Sequence, residues 1–311
     1  MVGITADQDC LGNSVPQSSE RKSTCVGLAT CAALPVGDVD DAGFVAALNA
    51  RDLDVHWVTW TADDPSRLSR AIDLLVLRSP WDYTDDRDSF LTWLAAVDVP
   101  VFNPVELVRW NSDKRYILEL AAAGVPTVPT AIVESPEQPL VVPEGFEEFV
   151  VKPSVDAGSK GAERYRSTDA DRARDHARRL LRSGCEVLVQ PYIPSVDSGS
   201  ETGLIYLDGR FSHAIAKGPM LKREGKAELV DGLYVAETID PRTPTDAQLE
   251  VAQQVLAALP VPGALYARVD LIDAPDGSPM LLELEMIEPS LFFAFHPPAA
   301  DALVRAIQAR L

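Results

Sequence analysis

Several patterns that carry function in other proteins are missing from this chain. Its four cysteines include no CxxC pair and no metal-site spacing, so we expect free thiols in a reducing cytosol. No run of about 18 apolar residues occurs, and neither GxxxxGK[ST] nor GxGxxG is present. Basic residues are also few, because 28 Lys and Arg face 47 Asp and Glu for a net charge of −19. A field of that sign repels nucleic acids and anionic membranes, so the sequence predicts a cytoplasmic protein with a small-molecule ligand and leaves the oligomeric state open.

The length and composition predict two or more folded parts behind a short leader. The chain has 311 residues, of which 46% are hydrophobic, enough to form buried cores. Residues 1–24 are polar and lack the apolar segment of a secretory signal, so we interpret them as a flexible leader. Over residues 25–110 the predicted strands lie at 25–34, 54–60 and 73–78, and helices begin at Asp40 and Arg87. This alternation predicts βαβ units on a parallel sheet, an N-terminal α/β domain.

The rest of the chain predicts an α+β fold in two parts, 111–193 and 194–311. We place Asn103 and Ser112 as the caps of two short helices, of which the second ends at Gly124. Asp208-Gly209 predicts a two-residue hairpin turn. The remaining predicted elements are strands over 149–151, 187–190, 202–207, 210–217, 264–271 and 280–285, and helices over 168–183, 249–259 and 300–311.

The last predicted strand pair presents three carboxylates on one face. If Asp276-Gly277 is a two-residue turn, Asp270 faces Glu283 and Arg268 faces Glu285. Like charges at that spacing repel, so these acids are either a solvated outer face or a site for a divalent cation. Oxygen ligands suit Mg²⁺, and the absence of histidine between this strand pair and His296 argues against zinc.

Three lysines stand where a phosphate site would need them, although each has an ordinary alternative. Lys152 follows an apolar strand and precedes a loop over 154–161 with two glycines, which otherwise is a simple turn. Lys217 ends an apolar strand face, where it would otherwise extend to solvent at the sheet edge. Lys114 lies in the first turn of a predicted helix, an unfavourable place for a cation that is otherwise solvated.

Taken in this order, the lysines, the arginine and the acids resemble the ATP-grasp superfamily of carboxylate ligases, which includes D-alanine–D-alanine ligase and glutathione synthetase. The resemblance implies an N-terminal βαβ (pre-ATP-grasp) domain followed by two α+β subdomains that sandwich ATP, with Mg²⁺ in one or two sites. It covers residues 25–311.

The resemblance also implies roles for individual residues. Those implied for nucleotide contact are Lys114, Lys152, Ser159, Lys160, Gly161, Gln190, Ile193, Glu201 and Lys217. Ser159, Lys160 and Gly161 would belong to a loop covering the phosphates, and Gln190 and Ile193 to a hinge beside adenine. Glu201, with Asp197 as its rival, would lie near the ribose. Arg268 and Lys217 would act on the transferring phosphoryl group, and the metal ligands would be Asp270, Glu283 and Glu285, the last being Asn in many relatives.

Three further segments resemble the O-ureido-D-serine cyclo-ligase subgroup. They are the acidic turn Gly37-Asp38-Val39-Asp40-Asp41, the block Arg78-Ser79-Pro80-Trp81-Asp82-Tyr83 and the ending Glu285-Met286-Ile287-Glu288-Pro289-Ser290. This implies ADP-forming cyclisation through an acyl phosphate. Separately, the segment 219–232 is polar and contains two glycines, which predicts a mobile lid. Because ligands bind at the carboxyl ends of parallel strands, we expect Arg78, Ser79, Trp81, Asp82 and Tyr83 at the substrate; the alternative is a structural loop. The rival functions are an intermolecular ligase and a non-catalytic ATP sensor.

Overall fold

Four parallel strands form the sheet of the N-terminal part, in the order β2-β1-β3-β4. The computed structural model describes residues 23–199, 201–219, 221, 229–230, 234–235 and 238–311. The first strands and helices are β1 (Thr24–Thr30), α1 (Asp41–Asn49), β2 (Leu53–Thr59), β3 (Leu74–Ser79), α2 (Arg87–Ala95), β4 (Val101–Phe102), α3 (Val105–Asn111) and α4 (Tyr116–Ala122). The predicted parallel sheet is confirmed. Apart from residues 23 and 24, the predicted leader lies outside the described residues.

The second sheet is antiparallel and has the order β5-β8-β6-β7. Its elements are β5 (Ala131–Val133), β6 (Glu148–Pro153), β7 (Glu163–Arg166), α5 (Ala170–Arg182) and β8 (Val187–Pro191). Helix α5 packs its apolar stripe, including Ala173 and Ala177, on the core of this sheet. Lys152 therefore lies within a strand, close to its carboxyl end, rather than after it.

The third sheet has five strands in the order β13-β10-β9-β14-β15. The elements of this part are β9 (Glu201–Leu207), β10 (Arg210–Lys217), β11 (Leu229–Val230), β12 (Tyr234–Val235), β13 (Ile239–Arg242), α6 (Asp246–Ala257), β14 (Tyr266–Asp273), β15 (Pro279–Glu285) and α7 (Pro298–Gln308). The two-residue turn between β9 and β10 is confirmed: Asp208 and Gly209 have φ of 51° and 70°, the left-handed geometry this turn requires. Most of the predicted lid over 219–232 lies outside the described residues.

The β14–β15 register agrees with the prediction at the functional pairs but not at the turn. Asp270 pairs with Glu283 and Arg268 with Glu285, as expected. The turn is longer, however, because Asp273 pairs with Pro279. A bulge beside Asp270 compensates for the odd loop length and restores the predicted pairing at the acids.

Two predicted helix caps are wrong, and both side chains instead make tertiary contacts. Ser112 hydrogen-bonds to Arg87 and to the Arg109 carbonyl, while α4 begins only at Tyr116, so Lys114 lies in the turn before this helix. Asn103 is fully buried and reaches β14 and the segment after β15 through four hydrogen bonds. A short polar side chain can satisfy either kind of backbone group, and here the strand partners outcompete the local cap.

The N-terminal sheet packs helices on both faces, and one of them comes from the other end of the chain. Phe44 of α1 and Leu303 of α7 share a core with the β1 side chains, whereas Phe90 and Leu94 of α2 cover the opposite face. Strand β1 stops at Thr30, earlier than predicted, because the Leu34 amide donates to the Cys31 carbonyl in a turn at 3.1 Å. No helix among the described residues has the length and apolarity to cross a membrane.

Candidate active site

A cavity of about 530 Å³ opens where the three sheets approach one another. Its walls come from the turn before α1, the Trp81–Asp85 turn after β3, the 154–161 loop and the β14–β15 pair. Four cationic side chains line it, all buried: Lys114, Lys152, Lys217 and Arg268. The fold thus brings together residues that lie more than 150 positions apart in sequence.

Three of these cations are already neutralised by acids. The Lys217 ammonium lies 2.9 Å from Glu201 and 3.2 Å from Asp270. Arg268 hydrogen-bonds to Asp270 and Glu285, and Lys114 lies 3.2 Å from Glu283. Burial alone lowers the pKa of Lys114, but the charges of Glu283 and Asp156 outweigh it and raise that pKa.

Lys152 is different, because among the described residues it has no anionic partner within ion-pairing distance. Its side chain is 8% exposed and faces the cavity from β6. Burial lowers the pKa of Lys152, and although Glu283 opposes this shift, the neighbouring Lys114 strengthens it. A buried ammonium without a counter-ion is costly, and an anion entering the cavity would relieve that cost.

The three predicted metal ligands lie near one another on β14 and β15, each beside a cation: Glu283 and Glu285 line the cavity, and Asp270 is buried against Lys217 and Arg268. Burial raises the pKa of Asp270, but Arg268 and Lys217 reverse this and hold it below its ordinary value; Glu283 is likewise lowered, chiefly by Lys114. Burial raises the pKa of Glu285 to about 7 despite its contact with Arg268. The described residues contain no group of three acids, histidines or cysteines arranged to hold a metal ion. The donor set nevertheless fits Mg²⁺ in chemistry, since it offers only carboxylate oxygens beside a cationic cavity.

Some of the predicted nucleotide-binding residues line the cavity, whereas others do not. Ser159 lines the cavity with φ of 59°, and Gly161 lies so close to the Pro153 ring that an added Cβ would be 2.8 Å from it. Lys160 extends outward to Asp85 at 2.6 Å. Gln190 and Ile193 are buried and do not line the cavity, and the Gln190 side-chain amide donates to the Thr130 hydroxyl.

The two candidates for the ribose contact have different partners. Glu201 is buried against Lys217, inside the cationic cluster. Asp197 accepts hydrogen bonds from Arg164 and from the Tyr192 hydroxyl, away from the cavity wall. Glu201 is therefore the one joined to the cavity, through Lys217.

Of the five predicted substrate residues, Trp81 reaches the cavity wall. Arg78 is 2% exposed and donates to Asp41 at 2.7 Å, with its Nη1 buried and unbonded. The Ser79 hydroxyl contacts Thr30, and Asp82 accepts from the Trp60 indole. Tyr83 is buried, and burial together with the nearby Glu288 carboxyl raises the pKa of its hydroxyl.

Four acids in the cavity wall were missed as site residues: Asp38, Asp40, Asp156 and Glu288. Asp40 accepts the amides of Leu291, Phe292 and Phe293 at 2.7 to 2.9 Å, which holds Phe292 in a left-handed conformation against Arg268. Glu288 is buried and lines the cavity. Asp40 and Glu288 both belong to segments that carry the subgroup resemblance, the acidic turn and the ending 285–290, which was the available signal.

The architecture has solved counterparts. The crystal structure of D-alanine–D-alanine ligase from Bacillus anthracis superposes with a TM-score of 0.63 at 18% identity, covering 92% of this chain and 95% of that one. The crystal structure of D-cycloserine synthetase DcsG gives 0.81 at 35% identity, covering 92% and 99%. The predicted ATP-grasp fold is confirmed, and the chain is an enzyme of the ATP-grasp ligase class.

Sequence comparison narrows the class. A family model for the N-terminal domain of D-cycloserine synthetase DcsG matches residues 26–103. The cycloserine biosynthesis protein DcsG of Streptomyces lavendulae is 39% identical over 257 residues, covering 77% of this chain and 83% of the relative. The chain belongs to the D-cycloserine synthetase DcsG family.

Proposed function

We propose that this enzyme is an ADP-forming carboxylate ligase that cyclises O-ureido-D-serine to D-cycloserine. Its similarity to the cycloserine biosynthesis protein DcsG supports the product, and the observation that supports the chemistry is Lys152, a buried ammonium in the cavity that lacks a counter-ion among the described residues. A triphosphate would supply that counter-ion. The substrate class is an amino-acid-like small molecule, and the cofactor is ATP with Mg²⁺, with two ions as our proposal.

The proposed reaction has two halves. The substrate carboxylate first attacks the γ-phosphoryl group, which gives an acyl phosphate and ADP. A nitrogen of the same substrate then displaces phosphate and closes a five-membered ring. Because D-cycloserine lacks the carbamoyl group of the ureido substituent, that group must also be removed by hydrolysis. Holding one substrate folded replaces the capture of a second one, so positioning supplies much of the rate.

The cationic wall would serve the first half. Lys114, Lys152 and Lys217 would bind phosphate oxygens, and the planar Arg268 fork would neutralise charge on the group in transfer. The loop with Ser159, Lys160 and Gly161 would cover the phosphates, while Gln190, Ile193 and Glu201 would meet the nucleoside. Asp270, Glu283 and Glu285 would hold Mg²⁺, which when bound neutralises phosphate charge.

The wall from the N-terminal part would serve the substrate. Trp81 supplies an indole face to the cavity, and Tyr83 and Asp82 support the same turn. Arg78 and Ser79 lie behind it, where Arg78 is bound to Asp41 and to the Pro289 carbonyl at 3.4 Å. We therefore propose that Arg78 and Ser79 influence substrate binding indirectly, by holding the Trp81–Asp85 turn in its shape.

Lys152→Ala tests the phosphate assignment. We expect ADP release to fall by roughly 100-fold or more, as when one preorganised donor is removed from a charged reacting group. The midpoint temperature of thermal unfolding should be unchanged or slightly higher, because the ammonium that is removed has no ion pair among the described residues. Arg51→Ala, which removes a half-exposed cation paired with Asp301, is the matched control and should keep full activity. Unchanged turnover in Lys152→Ala would overturn the assignment.

A product assay tests the cyclisation itself. With O-ureido-D-serine and ATP alone, ADP should appear together with a product of the mass of D-cycloserine. A requirement for a second, separately added amine would identify an intermolecular ligase. ATP binding without ADP under every carboxylate tested would identify a sensor.

A further inference from the structure

One acid in the cavity wall has a surrounding unlike that of the metal-ligand candidates. Glu288 follows β15 by three residues, on the segment that crosses to the N-terminal sheet. The Trp81 indole donates to its main-chain carbonyl at 2.9 Å, and the buried Tyr83 is near enough for its hydroxyl to lower the pKa of the Glu288 carboxyl. The Trp81–Asp85 turn therefore holds the backbone of Glu288 at the cavity wall.

Glu288 also lacks the cation that its neighbours have. Glu283 lies 3.2 Å from Lys114, and Glu285 contacts Arg268. Among the residues that the structure describes, no Lys or Arg lies within ion-pairing distance of Glu288, whose exposure is 9%. Burial raises the pKa of Glu288 to about 8; Glu285 and Glu283 add to the rise, and Lys114 and Tyr83 oppose it.

A buried acid with these properties suits proton transfer at the junction of the two halves of the site. Because no cation pairs with it among the described residues, its carboxyl is not needed as the counter-ion of a phosphate-binding side chain. It stands between the cationic wall and the substrate turn, where an acyl phosphate and a nitrogen of the substrate would meet. The other unassigned acids fit less well: Asp156 lies in the 154–161 loop beside Lys114, and Asp38 is half-exposed before α1.

We propose that Glu288 is the base of the ring-closing step, an inference that rests on the cyclisation proposed above. The nitrogen attacks the acyl carbon, so the C–N bond forms and the C–O bond to phosphate breaks. Inorganic phosphate leaves with the electron pair of that bond. The proton released by the nitrogen passes to the Glu288 carboxylate, while the Trp81 indole holds the main chain of Glu288 in place.

The variant Glu288→Gln tests this proposal, because acyl-phosphate formation and ring closure can be measured separately in it. Three quantities are measured with O-ureido-D-serine: ADP released, D-cycloserine formed, and the hydroxamate that added hydroxylamine makes from an acyl phosphate. Wild-type enzyme should give one D-cycloserine per ADP. In Glu288→Gln, ADP release and hydroxamate should stay within a few-fold of wild type, while D-cycloserine per ADP should fall at least ten-fold.

Each other outcome has a defined meaning. If Glu288→Gln keeps one product per ADP, or loses ADP release and hydroxamate in parallel while folded, the assignment of Glu288 is overturned. If wild type forms no ADP from this substrate, the proposed function itself fails. Should Glu288→Gln not fold, Glu288→Asp keeps the charge but retracts the carboxyl, and it must show the same uncoupling. Glu137→Gln makes the same change at an exposed position and should leave the ratio at one.

Discussion

Removing the Asn103 side chain should destabilise the protein more than any ordinary polar substitution. Its amide nitrogen donates to the carbonyls of Tyr266 and Met286 at 2.9 and 2.7 Å. Its amide oxygen accepts from the Leu265 and Tyr266 amides. One fully buried side chain, directly after β4, thus ties the N-terminal sheet to the start of β14 and to the segment after β15.

The magnitude follows from counting the bonds lost. Each short bond whose buried partner is left unpaired costs roughly 1.5 kcal/mol, so three short bonds in Asn103→Ala cost about 4 to 5 kcal/mol. Asn111 offers a graded comparison, because it makes two such bonds, to the Leu284 carbonyl and the Met286 amide. Asn111→Ala should therefore cost about 3 kcal/mol. Asn49→Ala, at an exposed position, should change stability by less than about 0.5 kcal/mol.

Thermal unfolding of the three variants measures this gradient. At roughly 2 to 3 °C per kcal/mol for a chain of this size, Asn103→Ala should lower the midpoint by about 10 °C and Asn111→Ala by about 7 °C. The midpoint of Asn49→Ala should match wild type. If Asn103→Ala and Asn49→Ala have the same unfolding midpoint, the bridging role assigned to Asn103 is refuted.

Two further predictions concern buried charge. Asp270→Asn leaves Lys217 and Arg268 with less compensation, so it should cost about 3 kcal/mol or more, whereas Asp301→Asn, at an exposed pair, should cost less than about 1 kcal/mol; equal thermal midpoints would contradict this. Burial lowers the pKa of His213 to about 4, so below pH 6.5 the unfolded chain takes up a proton that the folded chain refuses. Stability should therefore fall between pH 6.5 and about pH 4, by up to about 3 kcal/mol, and urea titrations of His213→Gln should lack that component.

Periodicity was sufficient to predict much of the fold. Alternating side chains placed Asp270, Glu283 and Glu285 on one face, and the pairing of the acids is correct although the assumed turn is not. The prediction survived because a bulge restores the alternation, since burial of the apolar face penalises any slip by one residue. The short strands β5, β7 and β13 were not predicted, because three or four residues are too few to show a period.

The pattern of residues in the sequence could not predict which charged side chains contact one another in the folded chain. Arg78 was expected at the substrate from its place at the end of a strand, yet its contact with Asp41 depends on how α1 crosses the sheet. Lys217 was expected at a phosphate or at the sheet edge, and its contacts with Glu201 and Asp270 depend on the pairing of three strands. Local sequence fixes the face of a side chain, but its partner is fixed by long-range topology.

The balance of charge in the cavity explains how a protein with a net charge of −19 can hold a polyanion. Most buried cations are matched by acids, which removes the cost of burying each one alone. Among the described residues, the Lys152 ammonium has no acid and the Glu288 carboxyl has no cation within ion-pairing distance. They face the same cavity from β6 and from the segment after β15. An anion at the first and a proton donor at the second would each complete a pair, so the same cavity favours a phosphate at one end and an N–H group at the other.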